Sequence, residues 1–215
     1  VPLAPDPCFT PAVPGGIGRV NPFKGRCVPD SSSPGLPFCL TFGSHFGRKH
    51  LEWVYEVFHL IRLWGFPHRL VVVGGGGRPW KEQMKPFGLR EGREVVFAGP
   101  VSDPVLALLY RSAELFFYLS LAEGFGLPPL EAMACGTPVV VFGNTAVREV
   151  VGDAAMWVNP GETGAAAQAV AAVLSNQSLA KRLRRQGLAT AARFSWIETA
   201  ERTLAVYRDV LGRAC

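Results

Sequence analysis

Two carboxylates, Glu123 and Glu131, bracket a glycine-rich turn in Ser120-Leu121-Ala122-Glu123-Gly124-Phe125-Gly126-Leu127-Pro128-Pro129-Leu130-Glu131-Ala132-Met133-Ala134-Cys135-Gly136-Thr137-Pro138-Val139-Val140. An apolar run ends in the first carboxylate. Gly124 and Gly126 then open a helix with Pro128 near its first turn. The first N–H groups of a helix have no partner within it, so those of Gly124, Phe125, Gly126 and Leu127 can cradle an anion. Glu131 falls in the first turns, and helical side chains lean toward the amino end, so it can reach the same pocket. One carboxylate at a helix start is a cap. Two at this spacing suit recognition of hydroxyl groups on a phosphorylated ligand.

A second group of candidates lies in Gly43-Ser44-His45-Phe46-Gly47-Arg48-Lys49-His50. It is not a nucleotide-triphosphate loop, because Arg48 and His50 stand where Gly and Ser or Thr are required. A strand-to-helix loop with two glycines and two adjacent cations is nevertheless a good seat for phosphate. Cations there oppose the helix dipole, which favours an anionic ligand between them; solvated surface charge is the plainer alternative. His45 and His50 lack carboxylate or cysteine company, so no metal is expected. Gly74-Gly75-Gly76-Gly77 has Pro79 at the place of the third glycine of a dinucleotide fingerprint, and no suitable helix is expected promptly after it. A plain turn is the better reading.

These loops need strands to carry them. Residues 1 to about 37 are rich in Pro, Gly and Ser without period and read as linker and loop. From there, short apolar runs alternate with helical stretches. Strands are expected at Phe38 to Phe42, Leu70 to Val73, Glu94 to Ala98, Leu115 to Ser120, Val139 to Phe142 and Ala155 to Val158. Helices are expected at Leu51 to Trp64, Pro104 to Ala113, Pro128 to Cys135, Gly164 to Leu174, Leu179 to Phe194 and Trp196 to Leu211. Continuously apolar strands separated by helices imply an α/β fold, a parallel sheet with helices on both faces. Ligands of such sheets sit at the carboxyl ends of the strands, which makes 43–50, 74–79, 99–104 and 120–128 the informative loops.

The bulk composition agrees. With 215 residues, 48% hydrophobic and 18% charged, the chain can bury a real core and is not disordered. A net charge of +5 suits an anionic ligand and is too mild to indicate nucleic acid. No apolar run approaches the roughly 18 residues of a spanning helix. The five cysteines are scattered without a C-x-x-C pair, so neither zinc nor a disulfide framework is indicated, and Cys135 reads as a small buried hydrophobe. A reducing, cytoplasmic setting is the default. The chain opens on Val1-Pro2-Leu3 without Met and reads as a fragment.

The stretch 120–140 resembles the E-x7-E segment of the family 4 retaining glycosyltransferases, which have the two-domain GT-B fold. The resemblance runs in order over roughly residues 38–211. Val1-Pro2-Leu3-Ala4-Pro5-Asp6-Pro7 is similar to the linker into the family's second domain, Gly43 to His50 to its diphosphate loop, and Val96-Phe97-Ala98-Gly99-Pro100-Val101-Ser102 to its base-binding turn. Leu109-Tyr110 with Ala113 resembles the helix after that turn, and Arg193-Phe194-Ser195-Trp196 the carboxyl-terminal helix pair.

This resemblance implies a Rossmann-like donor domain over residues 38–215, the C-terminal half of a GT-B fold, with residues 1–37 as interdomain linker and loop and the acceptor-binding domain absent. Glu131 would accept hydrogen bonds from the donor's ribose hydroxyls, and Glu123 would contact the sugar near its anomeric carbon. The backbone of Gly124, Phe125, Gly126 and Leu127 would hold the sugar or distal phosphate. Lys49, aided by Arg48 in the loop begun by Gly43 and Ser44, would neutralise the diphosphate leaving group, and Gly99, Pro100 and Val101 would face the base. Ser44 departs from the arginine common after that glycine, and Leu119 from the usual proline. The implied reaction is metal-independent, cofactor-free transfer of a hexosyl group from a UDP- or GDP-sugar to a glycan or lipid-linked acceptor, with peripheral contact at the inner face of a membrane left open. Catalysis would rest on Glu123 and Lys49, and the fragment alone would be inactive. The alternative is an inactive nucleotide-binding regulatory module of the same fold.

Overall fold

A computed structural model describes residues 4–6, 8–11, 36–43, 50–75 and 78–212. Six strands carry the fold: β1 (Phe38–Phe42), β2 (Arg69–Val73), β3 (Val95–Gly99), β4 (Leu115–Tyr118), β5 (Val139–Phe142) and β6 (Met156–Val158). They form one sheet in the order β3-β2-β1-β4-β5-β6, with every neighbouring pair parallel. The helices are α1 (Leu51–Leu63), α2 (Arg78–Met84), α3 (Asp103–Ser112), α4 (Leu127–Ala134), α5 (Thr145–Val151), α6 (Thr163–Ser175), α7 (Gln177–Ala191) and α8 (Trp196–Gly212). The Rossmann-like sheet expected from the sequence is therefore present.

Alternation along the strands divides the core in two, because successive side chains leave a strand on opposite faces. Leu70, Val72, Leu115 and Phe117 meet α1, α2 and α6 on one side. Val71, Val73, Phe116 and Tyr118 meet α3, α4 and α5 on the other. With both faces covered, these strands have no polar side to display, which is why they read as unbroken apolar runs.

Two helices depart from the sequence expectation. α2 starts directly at Arg78, although no helix is expected promptly after the glycines. Pro79 fits a first turn, where its missing N–H costs nothing, and Trp80 and Met84 share one face and bury it in the core. α5 is also absent from the sequence expectation. Its N-cap is Asn144, whose side chain accepts from the Val147 N–H, and Val147, Val150 and Val151 bury one stripe. Elsewhere β1 and β5 have the expected bounds, and the ends of the other elements differ from them by at most three residues.

Gly74 shows why the turn after β2 needs glycine. Its φ is +109°, and a Cβ there would lie 2.8 Å from the Gly43 carbonyl oxygen. The close approach is thus by the protein's own backbone at the end of β1. Gly74→Ala is expected to lower stability by roughly 1–3 kcal/mol, a fall in Tm of about 2–12 °C for a chain of this size. Gly164, near the start of α6, has open space and a normal φ. Gly164→Ala should leave Tm unchanged or raise it slightly by restricting the unfolded chain. Thermal unfolding of the two variants side by side checks this. A Gly74→Ala protein as stable as Gly164→Ala contradicts the close approach.

α8 is the least integrated element. Ile197, Leu204, Tyr207 and Leu211 recur along it and are all exposed, Ile197 at 73% and Leu211 at 69%.

Candidate functional site

The strand order reverses direction between β1 and β4, so the loops leaving these two strands open on either side of a crevice at the carboxyl edge of the sheet. Gly43 directly follows β1, and the loop after β4 leads through Glu123 to α4. Ser44, Arg48 and Lys49 lie outside the described residues. His50, which follows them, has φ +30° and stacks on Trp53 at 4.1 Å, while its Nδ1 lies 2.8 Å from Glu52 Oε1.

Glu123 is half-buried, and its Oε1 accepts two hydroxyl donors. Tyr118 donates from the last position of β4 at 2.5 Å, and Ser120 at 2.8 Å. Hydrogen bonds to an ionised carboxylate are stronger than neutral ones, so this pair fixes the side chain and leaves Oε2 without a donor among the described residues. Asn144 Nδ2 donates to the Ser120 carbonyl at 3.2 Å, so the residue that caps α5 also anchors the loop carrying Glu123.

Gly126 is the N-cap of α4 with φ +102°, and a Cβ there would meet Val147 Cγ2 of α5 at 3.2 Å. Only glycine combines that backbone with that neighbour. The next residues after Leu127 are Pro128 and Pro129, which have no N–H. The donors of this helix start are thereby confined to the amides of Gly124, Phe125, Gly126 and Leu127, and none of these bonds to another described residue. They are available to an anion.

Glu131 lies on α4, and Tyr110 of α3 donates to its Oε2 at 3.3 Å and to the Pro128 carbonyl at 3.1 Å. Burial pushes the Glu131 carboxyl up to about 7; the Tyr110 hydrogen bond acts against this, and the charges of Asp103 and Asp6 add to it. Tyr110 is fully buried and ringed by Phe9, Phe42 and Phe116, with centroids 5.9, 6.3 and 5.2 Å away. Each glutamate of the pair is thus held by the hydroxyl of a buried tyrosine on a neighbouring element.

Gly99 ends β3, and Pro100 and Val101 follow it on the same edge of the sheet, one strand beyond β2. Gly99 has φ +67°, and its carbonyl accepts from the Gly74 N–H at 3.1 Å. Val101 packs into the core beneath α3, and Pro100 is exposed. Cys135 is buried as expected, and burial pushes its thiol up to about 12, so it is no nucleophile. The roles of Tyr110, Tyr118 and Asn144 have no counterpart among the sequence expectations. Only the Asn144 cap, three residues before Val147, leaves a local signal.

Residues 37–176 match the family described as Glycosyl transferases group 1. The chain belongs to this family. It is 34% identical over 175 residues to O-antigen chain mannosyltransferase B of Escherichia coli, covering 80% of this chain and 45% of that protein. It is 39% identical over 152 residues to D-inositol 3-phosphate glycosyltransferase of Acidothermus cellulolyticus, covering 66% of this chain and 33% of that one. The chain therefore spans less than half the length of these curated relatives. Among solved structures, sucrose-phosphate synthase from Thermosynechococcus elongatus superposes with a TM-score of 0.78 at 22% identity, over 99% of this chain and 52% of that chain. The C-terminal domain of a group 1 family glycosyl transferase from Francisella tularensis gives 0.68 at 20% identity, over 86% of this chain and 95% of that one. This group 1 glycosyl transferase thus has the fold of one half of a GT-B enzyme. Among the described residues no helix is long and apolar enough to cross a membrane.

Proposed function

We propose that this chain is the donor-binding half of a retaining hexosyltransferase that uses a UDP- or GDP-sugar without a bound metal. The observation that carries the reading is the pair of tyrosine-held carboxylates on either side of four amides at the start of α4 that bond to no described residue. Carboxylates fixed in this way are acceptors for hydroxyl groups, and the amides between them suit a phosphate or a sugar oxygen. In this reading Glu131 takes the ribose hydroxyls, Glu123 the hexose, and Gly99, Pro100 and Val101 lie against the base. Lys49 and Arg48 stabilise the departing diphosphate, on which most of the negative charge develops. Incoming and leaving groups share one face of the sugar, and the diphosphate is placed to take the acceptor's proton. Several relatives are named as mannosyltransferases, among them the Escherichia coli O-antigen enzyme, which supports a mannosyl group as the first hexose to try.

Calorimetry with UDP, GDP and their sugars tests these roles. Glu123→Ala should leave affinity for the bare nucleoside diphosphate intact and weaken the intact nucleotide sugar roughly tenfold or more, as for a charged hydrogen bond worth about 1.5–3 kcal/mol. Equal losses for both ligands would show that Glu123 does not read the sugar. Lys49→Ala and Arg48→Ala should weaken the diphosphate far more than the nucleoside, with an affinity that falls as salt is added. If only Lys49→Ala does so, Arg48 is a solvated surface charge.

A further inference from the structure

Residues 8–10 lie against α3 far from their place in the sequence. Arg111 of α3 holds them: its Nε donates to the Thr10 carbonyl at 2.6 Å, and its Nη2 donates to the Cys8 carbonyl at 2.7 Å and to Thr10 Oγ1 at 3.2 Å. The turn is closed from its other side by Asp6, whose Oδ1 accepts from the Cys8 N–H and whose carbonyl accepts from the Phe9 N–H, both at 2.9 Å. Phe9 stands between the two clamped carbonyls and is driven into the core at 5% exposure. There its ring meets Tyr110 at 5.9 Å, with the planes 73° apart.

The Tyr110 ring has two kinds of wall. Phe42 and Phe116 belong to the sheet and cannot move without it. Phe9 belongs to a short segment that the Arg111 guanidinium pins in place. The Tyr110 hydroxyl has one proton and two acceptors, the Pro128 carbonyl at 3.1 Å and Glu131 Oε2 at 3.3 Å. Both distances are longer than the usual 2.7–2.8 Å or so of an O–H donor, so a few tenths of an ångström in the ring decides which acceptor it serves. Fixing the ring is therefore fixing the carboxylate.

Resting on the reading that Glu131 receives the ribose hydroxyls, we propose that Arg111 and Phe9 are positioning residues for the donor site. By seating residues 8–10 on Tyr110 they hold its hydroxyl on Glu131 and set how strongly the site distinguishes a ribonucleotide from one without ribose hydroxyls. Burial of Glu131 supports this, because a partly desolvated carboxyl depends on each remaining donor.

The test is calorimetry of the 215-residue chain with UDP and GDP and with their 2′,3′-dideoxy counterparts. Tyr110→Phe keeps the ring and removes the hydroxyl. It should lower ribonucleotide affinity about three- to tenfold, as for one lost hydrogen bond, and leave dideoxynucleotide affinity unchanged. Arg111→Ala should move affinity in the same direction, and the double variant should be no worse than the stronger single one. Phe9→Leu, which keeps the site apolar, gives the same readout if Arg111→Ala does not fold. Unchanged discrimination in Tyr110→Phe, or in a folded variant at Arg111 or Phe9, while Glu131→Ala abolishes it, overturns the proposal and spares the role of Glu131. Unchanged discrimination in Glu131→Ala, or no binding by the parent chain, removes that role and the proposal with it.

Discussion

Glu131→Gln should make the protein more stable at pH 8 and a poorer nucleotide binder in the same step. The carboxyl is pushed from its ordinary 4.5 up to about 7, chiefly by burial. The folded state therefore binds this proton more tightly than the unfolded chain does. Below pH 4.5 the group is protonated in both states and costs nothing. Between 4.5 and about 7 stability falls as pH rises, and above 7 the full cost of an ionised, half-buried carboxylate is present. At about 1.4 kcal/mol per pH unit the cost is at most about 3.5 kcal/mol, and solvent still reaching the carboxyl reduces it. Gln keeps an acceptor for Tyr110 and carries no charge. Each kcal/mol recovered is worth roughly 2–4 °C in Tm for a chain of this size. Scanning calorimetry from pH 5 to pH 8 should show the parent Tm falling relative to that of the variant. Parallel curves would mean that burial does not govern this carboxyl. Binding should move the other way, weakening roughly ten- to a hundredfold as a charged acceptor is lost to the ribose. In the parent chain, affinity should rise as pH passes through about 7 and the ionised form takes over. A site that costs its fold stability in order to hold an acceptor for a ligand is a common exchange in binding proteins.

The 215-residue chain should bind donor nucleotide and transfer almost no sugar. The proposed donor loops are local to one sheet, between Gly43 and Glu131, so a half-site can assemble on its own. Transfer asks for more, because an acceptor must be held close to the anomeric carbon while water is kept from the leaving group. Such orientation can be worth up to about 7–11 kcal/mol of barrier. The match spans 45% of O-antigen chain mannosyltransferase B and 52% of the sucrose-phosphate synthase chain, and the remaining portion is the proposed acceptor side. The exposed apolar stripe of α8 is surface that such a partner could cover. With a nucleotide sugar and a glycan acceptor, product should form far below the usual enzyme range of about 1–1000 per second and rise by orders of magnitude when a polypeptide matching the other half is supplied. If the chain alone glycosylates at ordinary rates, the acceptor site lies within these residues and the proposed division of labour is wrong.

The class of fold and most of its elements were legible in the sequence, which also singles out Glu123 and Glu131 as the proposed centre of the site. The β4 and β5 runs are apolar on both faces and β1 is interrupted only by Thr41, so they read as buried parallel strands. Glu123, Gly124, Gly126 and Glu131 announce a helix start because capping and left-handed backbone are decided within a few residues. α2 and α5 were less legible, since each has seven residues and shows a single buried stripe too brief to establish a period. The supports of the site were not legible at all. Tyr110 and Glu131 are 21 positions apart, and Arg111 and Thr10 are 101 apart, so no local pattern links them. Strand order and helix packing alone bring those side chains within hydrogen-bonding distance. The same packing decides how much water reaches Glu131, and so how tightly that carboxyl holds its proton.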